Sequence, residues 1–275
     1  MRVTLPASPL APGTSPVSLH IRMVGTGTPL LVLHGGWGYD IYPFDRQIAA
    51  LETTHRIVIP DRTGYGGSGT LDVQQVDFHQ RAAEETLALL DALDIDRPIL
   101  WGHSDGAVIA LRIASMAPHR PRGIIAEATH FWRRKPASRR FFETMRDAPE
   151  QFGGRVVATL ECDHGPRWRA LIATNGAAWL RIADEAPDPF ADLYDGRLGR
   201  VNTPVLLIHG GKDPRTEPGE FEALAAALGR TLSAVEVLPN AGHSPHSEAS
   251  SADTVSALAR QFLAGAVPQA ASSLR

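Results

Sequence analysis

An apolar run, RPILW at 97–101, breaks at Gly102-His103-Ser104-Asp105-Gly106 and gives way at once to AVIALRIASM, which has the apolar content of a buried helix. A strand becomes a helix within five residues, with a serine midway between two glycines. An ordinary connection of this kind needs one glycine and a capping residue. Two small residues, each two positions from the serine, predict a turn so tight that larger side chains would collide. A chain carrying such a turn must lay a buried strand and a helix back to back, with the serine hydroxyl at the sheet edge above the helix N-terminus.

The flanking sequence repeats the same rhythm. VSLHIRMVG (17–25) alternates as a strand, PLLVLHGG (29–36) is continuously apolar and ends in glycines, and HRIVIP (55–60) runs into the glycine-rich DRTGYGGSG. Helices are predicted from Asp40 to about Thr53, from Phe78 to about Leu93 and from Ser104 to about Met116. RGIIAEA is a further strand. From about 129 to 200 the rhythm stops: aromatic residues accumulate in helix-like stretches without an apolar strand. It resumes with the strand TPVLLIHGG, the helix EFEALAAALG, the strand SAVEVLP and the helix SADTVSALARQFLAG, and PQAASSLR (268–275) reads as a frayed tail. Strands that are apolar without alternation, separated by helices, predict a mostly parallel sheet covered on both faces.

At 275 residues the chain suits one large core. Its formal net charge of −3 gives no footprint for nucleic acid or an anionic membrane. No segment reaches the ~20 apolar residues of a membrane span, and the Pro- and Ser-rich N-terminus lacks a signal-peptide core, so the default expectation is cytoplasmic. The single cysteine, Cys162, has no internal disulfide partner and reads as an incidental thiol. No His, Asp and Cys spacing suits a metal, and no cofactor is expected. A small-molecule substrate is the expected partner; oligomeric state is not legible.

A serine hydroxyl needs a base to take its proton, and the base needs an orienting partner. Asp213, in HGGKDP, and His243, in LPNAGHSPH, each follow a strand at its C-terminal end, where open α/β sheets build their sites. His246 is a second candidate base. Ser104 also has a bland reading, as a plain N-cap.

With these motifs together the chain resembles the α/β-hydrolase superfamily, in its serine-nucleophile form with a helical cap. The resemblance rests on His34-Gly35-Gly36-Trp37-Gly38, DRTGYGGSG at 61–69, GHSDG at 102–106, GGKDP at 210–214 and AGHSPHSE at 241–248. It covers nearly the whole chain outside the cap. It implies an α/β-hydrolase fold divided as core 1–128, cap 129–200 and core 201–275. Ser104 is then the nucleophile, His243 the base and later the acid, and Asp213 the residue orienting the imidazole. The backbone N–H of Asp105 and of Gly36, or alternatively Trp37, would form the oxyanion hole. Some members carry the acid after the earlier strand, which keeps Glu127 as an alternative to Asp213. His103 and His34 are expected to be structural, His34 as support for the oxyanion loop, and Asp61 and Arg62 to hold the sheet edge.

Trp37, Trp132, Trp168 and Trp179 are expected to line the substrate pocket; the cap tryptophans could equally form the cap's own core. The basic run at 133–140 could attract an anion or be a solvated helix face. The implied function is cofactor-free hydrolysis of carboxylic esters or lactones of small molecules through an acyl-enzyme. Small esterases and enol-lactone hydrolases are the members it resembles most. Alternatives are cleavage of a carbon–carbon bond beside a ketone with the same triad, and a hydrolase-like receptor. A serine at the turn argues against the carboxylate-nucleophile chemistry of epoxide hydrolases and haloalkane dehalogenases.

Overall fold

Strands without polar alternation need cover on both faces, and this sheet has it. The computed structural model describes residues 1–265; the tail expected at 268–275 lies outside the described residues. The strands are β1 (Arg2–Leu5), β2 (Val17–Val24), β3 (Thr28–Leu33), β4 (His55–Pro60), β5 (Ile99–His103), β6 (Gly123–Glu127), β7 (Val205–Gly210) and β8 (Leu232–Leu238). They form one sheet in the order 1-2-4-3-5-6-7-8. The β1–β2 and β2–β4 pairs are antiparallel and every other pair is parallel. The sequence is thereby read correctly as an α/β fold with a mostly parallel sheet.

Alternate residues of each central strand enter different cores. Leu31, Leu33, Leu100, Ile124, Ala126 and Leu207 pack with helices α2 (Phe78–Ala92) and α3 (Asp105–Met116). Leu30, Val32, Ile99, Trp101, Ile125 and Ile208 pack with α1 (Asp45–Leu51) and α8 (Ala252–Gly265). Both sets are apolar, which erases the period-two pattern in the sequence. The outer strand β8 alternates between half-buried and exposed residues, as a strand at the sheet edge does.

Two boundaries differ from the sequence reading. The Pro- and Ser-rich N-terminal stretch, in which the sequence marks no element, contains β1, which pairs with Val17–His20; four residues are too few to show a period. Helix α1 begins at Asp45 and not at Asp40, because Pro43 fixes its own φ and holds Tyr42 out of the helical region. Between β6 and β7 lie α4 (Arg139–Asp147), α5 (Gly154–His164) and α6 (Trp168–Asp184), with an isolated bridge between Trp132 and Asp192. Phe142 of α4 and Trp179 of α6 stack at 5.1 Å. After β7 the chain forms α7 (Glu220–Leu228) before β8.

Candidate active site

Ser104 stands at the junction of β5 and α3 with φ +55° and ψ −121°. For a residue with a Cβ this conformation costs on the order of 1–3 kcal/mol and persists only where the surroundings enforce it. They do so through the two glycines. A Cβ on Gly102 would lie 2.2 Å from the Gly106 carbonyl oxygen, and one on Gly106 would lie 2.0 Å from that of Leu33. The Ser104 N–H donates to the Glu127 carbonyl at 2.9 Å, tying the turn to β6. Its side chain makes no capping bond to α3. The hydroxyl instead lies 3.1 Å from His243 Nε2.

His243 Nδ1–H donates to Asp213 Oδ2 at 2.8 Å. Burial alone would raise the Asp213 carboxyl, but the charge and hydrogen bond of His243, aided by the Arg215 N–H, hold it at about 2. Burial, and after it the charge of Arg215, pushes the His243 imidazole below its usual range, while Asp213 pulls the other way. At neutral pH the pair is therefore a carboxylate and a neutral imidazole whose Nε2 lone pair faces the Ser104 hydroxyl. Both side chains come from loops after β7 and β8, where the sequence reading put them.

The two rival assignments satisfy each other. Glu127 Oε1 receives the N–H of His246 and lies 2.8 Å from its Nδ1, and the Trp101 indole donates to Oε2 at 3.3 Å. His246 Nε2–H donates to the Tyr42 carbonyl at 2.9 Å. Glu127 shares a strand face with Ile125, so this pair points toward α1 and α8. It is Asp213 and not Glu127 that meets His243. His103 Nε2–H donates to the His243 carbonyl at 2.9 Å and thereby holds the backbone of that residue.

The loop after β3 is held from below and above. Arg62 donates to the carbonyls of His34 and Gly35, and His34 Nε2 accepts the Arg62 N–H. From α5, His164 Nε2–H donates to the Trp37 carbonyl at 3.0 Å while its Nδ1 accepts the Gly66 N–H at 3.0 Å. Gly36, Trp37 and Asp105 all face the Ser104 cavity, and among the described residues their amides donate to no other group. The Asp105 carboxylate is buried under this loop. His79 and Trp179 donate to its Oδ1 at 3.1 Å each, and Asn175 donates to Oδ2 at 3.3 Å. Burial would raise this carboxyl; those donors and the charges of His79 and Arg62 outweigh it and keep the group ionised.

The cavity at Ser104 has a volume of about 30 Å³, space for a water or two. Trp37 and Trp179 line it. Trp132 and Trp168 do not. Trp132 lines a neighbouring cavity of about 670 Å³ and packs against Phe190, because its bridge to Asp192 turns it away from the sheet. Trp168 is buried at the start of α6 and faces neither cavity. The wall between the two cavities is shared by Phe142 and Trp179.

Among the residues of the Ser104 cavity passed over in the sequence are His130 and Arg215. His130 Nε2 lies 3.5 Å from the Ser104 hydroxyl, with its ring parallel to that of His243. Burial, then the charge of Lys135, pushes this imidazole well below its usual range, so it is neutral. Arg215 places its guanidinium 4.0 Å over the Phe141 ring, beside the cavity. The available signal was position: each follows a strand's C-terminal end, Arg215 two residues beyond Asp213.

The basic run has other partners. Lys135 is buried against Glu220, Arg133 bonds Asp195 and the Asp192 carbonyl, and Arg139 pairs with Asp184 and Glu143. No residue from 133 to 140 lines the Ser104 cavity, although Arg134, Lys135 and Arg139 line the larger one.

Comparison with known proteins agrees with this architecture. Residues 30–257 match the alpha/beta hydrolase family. An epoxide hydrolase of Caballeronia sordidicola is 32% identical over 176 residues, which span 64% of this chain and about half, 53%, of that protein. Serine hydrolase BPHL of Homo sapiens is 28% identical over 250 residues, 90% of this chain and 83% of that one. A pimeloyl-[acyl-carrier protein] methyl ester esterase of Nitrosomonas europaea is 27% identical over 83% of this chain and 93% of its own. Among solved structures, a thermophilic esterase from Thermogutta terrifontis has a TM-score of 0.71 at 22% identity and covers 98% of this chain and 100% of its own, a likeness of fold. A family match across most of the chain, on a sheet of this order and with this strand-to-helix turn, identifies the chain as a member of the alpha/beta hydrolase family.

Proposed function

We propose that this protein is a cofactor-free serine hydrolase that cleaves carboxylic esters or lactones of small molecules. The observation that carries the reading is the relay from Ser104 through His243 to Asp213, with distances of 3.1 Å and 2.8 Å and a serine hydroxyl released from capping its own helix. Residues 129–200 serve as the cap that closes the site. A serine at the turn favours acyl transfer over the epoxide chemistry in the name of one relative, and two others are named as a serine hydrolase and an ester esterase.

In the reaction, His243 Nε2 takes the Ser104 proton as Oγ bonds to the substrate carbonyl carbon. The carbonyl oxygen becomes an oxyanion received by the Asp105 N–H and by the N–H of Gly36 or Trp37; each donor is worth roughly 10²–10³ in rate. The His243 imidazolium, stabilised by Asp213, gives its proton to the departing alkoxide. Water, deprotonated by His243, then attacks the acyl-enzyme, and the proton returns to Ser104 as the acid leaves.

The test is release of p-nitrophenol from short- and medium-chain p-nitrophenyl esters, alongside labelling by a fluorophosphonate. Ser104→Ala and His243→Ala should each lower kcat by roughly 10⁴–10⁶, and Ser104→Ala should abolish labelling. Labelling without ester turnover would shift the reading to a carbon–carbon substrate. Neither labelling nor turnover in a folded protein would leave a receptor.

A further inference from the structure

Among the described residues, Arg215 is the single arginine or lysine in the lining of the Ser104 cavity. Its backbone N–H donates to Asp213 Oδ1 at 2.9 Å, which fixes the loop, and its guanidinium rests 4.0 Å over the Phe141 ring. Phe141 is itself stacked on Trp37 at 5.5 Å. No carboxylate among the described residues pairs with this guanidinium. The two carboxylates nearby are committed elsewhere: Asp105 to His79, Trp179 and Asn175, and Asp213 to His243 and the Arg215 N–H.

A half-buried cation without a counter-ion, facing a pocket of aromatic rings and neutral imidazoles, is costly for the free protein. A substrate carboxylate that parts the aromatic walls of this cavity of about 30 Å³ and reaches the guanidinium removes that cost, and the planar fork of a guanidinium matches both its oxygens. The field of Arg215 reaches the reacting groups, since its charge contributes to lowering His243, His103 and His130. No other arginine or lysine among the described residues lines this cavity, so an anion at Ser104 has one cation to meet.

Resting on the serine-hydrolase reading above, we propose that Arg215 determines specificity, and that the substrate is an ester or lactone carrying a second, free carboxylate that Arg215 receives while the scissile carbonyl meets Ser104. Arg215 sets specificity through substrate binding, while its charge also bears on His243. Its removal relieves the pressure on His243 and moves the acid limb of the pH–rate profile upward for every substrate alike. The comparison is therefore made on the plateau above that limb.

Three chromogenic esters separate the possibilities: p-nitrophenyl hexanoate, mono-p-nitrophenyl adipate with an acyl-side carboxylate, and 3-carboxy-4-nitrophenyl hexanoate with a leaving-group carboxylate. The wild type should prefer one carboxylate ester over the neutral one by at least tenfold in kcat/KM, and which one locates the anion. Arg215→Met should lower that kcat/KM at least tenfold more than it lowers that of hexanoate, and Arg215→Lys should restore part of the difference. No preference in the wild type, or an equal loss on all three esters, would overturn the proposal. Adipate binding, followed by intrinsic tryptophan fluorescence to which Trp37 and Trp179 of the cavity contribute, gives a readout that needs no turnover. If no ester is cleaved, the ester and lactone reading fails on its own; adipate binding that is weakened in Arg215→Met still supports anion recognition, and identical binding overturns it.

Discussion

Gly102 and Gly106 approach so closely across the β5–α3 turn that a methyl group on the first would lie 2.2 Å from the carbonyl oxygen of the second. The obstacle is backbone, so no side-chain rotation relieves it. A methyl on Gly106 meets the Leu33 carbonyl in the same way, at 2.0 Å. Gly102→Ala and Gly106→Ala are each expected to cost at least about 2 kcal/mol, read as a lower urea midpoint. Midpoints indistinguishable from wild type would mean that strand and helix separate freely at the turn.

Two carboxylate–imidazole pairs of equal length stand near Ser104, and only one reaches its hydroxyl. Asp213→Asn should lower kcat by roughly 10⁴, because the amide no longer supports the imidazolium and favours the wrong tautomer. Glu127→Gln should instead act on stability, costing about 1–3 kcal/mol as its new amide group faces the Trp101 N–H donor. Steady-state kinetics and urea unfolding on both variants check the division. A reversed pattern would move the acid to Glu127.

Acid should unfold this protein through its histidines before its carboxylates. Burial holds His34, His79, His103, His130 and His243 below 6.5 in the folded chain. The unfolded chain then binds more protons around pH 6.5, so stability is complete above that value and falls as pH drops toward the folded values. While only the unfolded form of a given histidine is protonated, the loss is about 1.4 kcal/mol per pH unit. Asp213, held at about 2, adds its own loss only below 3.8. Urea midpoints at pH 8, 7, 6 and 5 should be flat at first and then decline steeply; a flat profile down to pH 5 contradicts this account.

Lys135 and Glu220 form a buried ion pair that joins the segment after β6 to the start of α7. Glu220 also receives the N–H groups of Phe131, Trp132 and Glu217. Lys135→Met leaves that carboxylate buried without its cation and should cost about 3–5 kcal/mol. Adding Glu220→Gln should recover part of the loss, because no charge then remains in the gap. Thermal unfolding of the single and double variants distinguishes this from a surface effect, in which the second change would bring no recovery.

Much of this was legible in the sequence because neighbours in sequence carry it. The turn at Gly102–Gly106 is local, and the strands before Asp213 and His243 announce their own ends. What was not legible depends on contacts between distant segments. Lys135 and Glu220 are 85 positions apart, so a run of basic residues gave no sign that its lysine is buried. Four tryptophans look alike in a sequence; the bridge from Trp132 to Asp192 decides that it faces the larger cavity, while Trp179 of α6 faces both. His130 and Arg215 follow strand ends as many other residues do, and only the meeting of those ends brings them beside Ser104.

His164 carries a consequence for how such a scaffold could be refashioned. One imidazole from α5 is bonded at one end to the Gly66 N–H and at the other to the Trp37 carbonyl. A helical segment borrowed from another protein to change what the pocket admits would arrive without it. Two backbone groups of the underlying loops would then lose their partner, and the loop carrying Gly36 and Trp37 would relax just where atomic placement matters most. Transplanting the roof of this molecule therefore means transplanting a histidine with it.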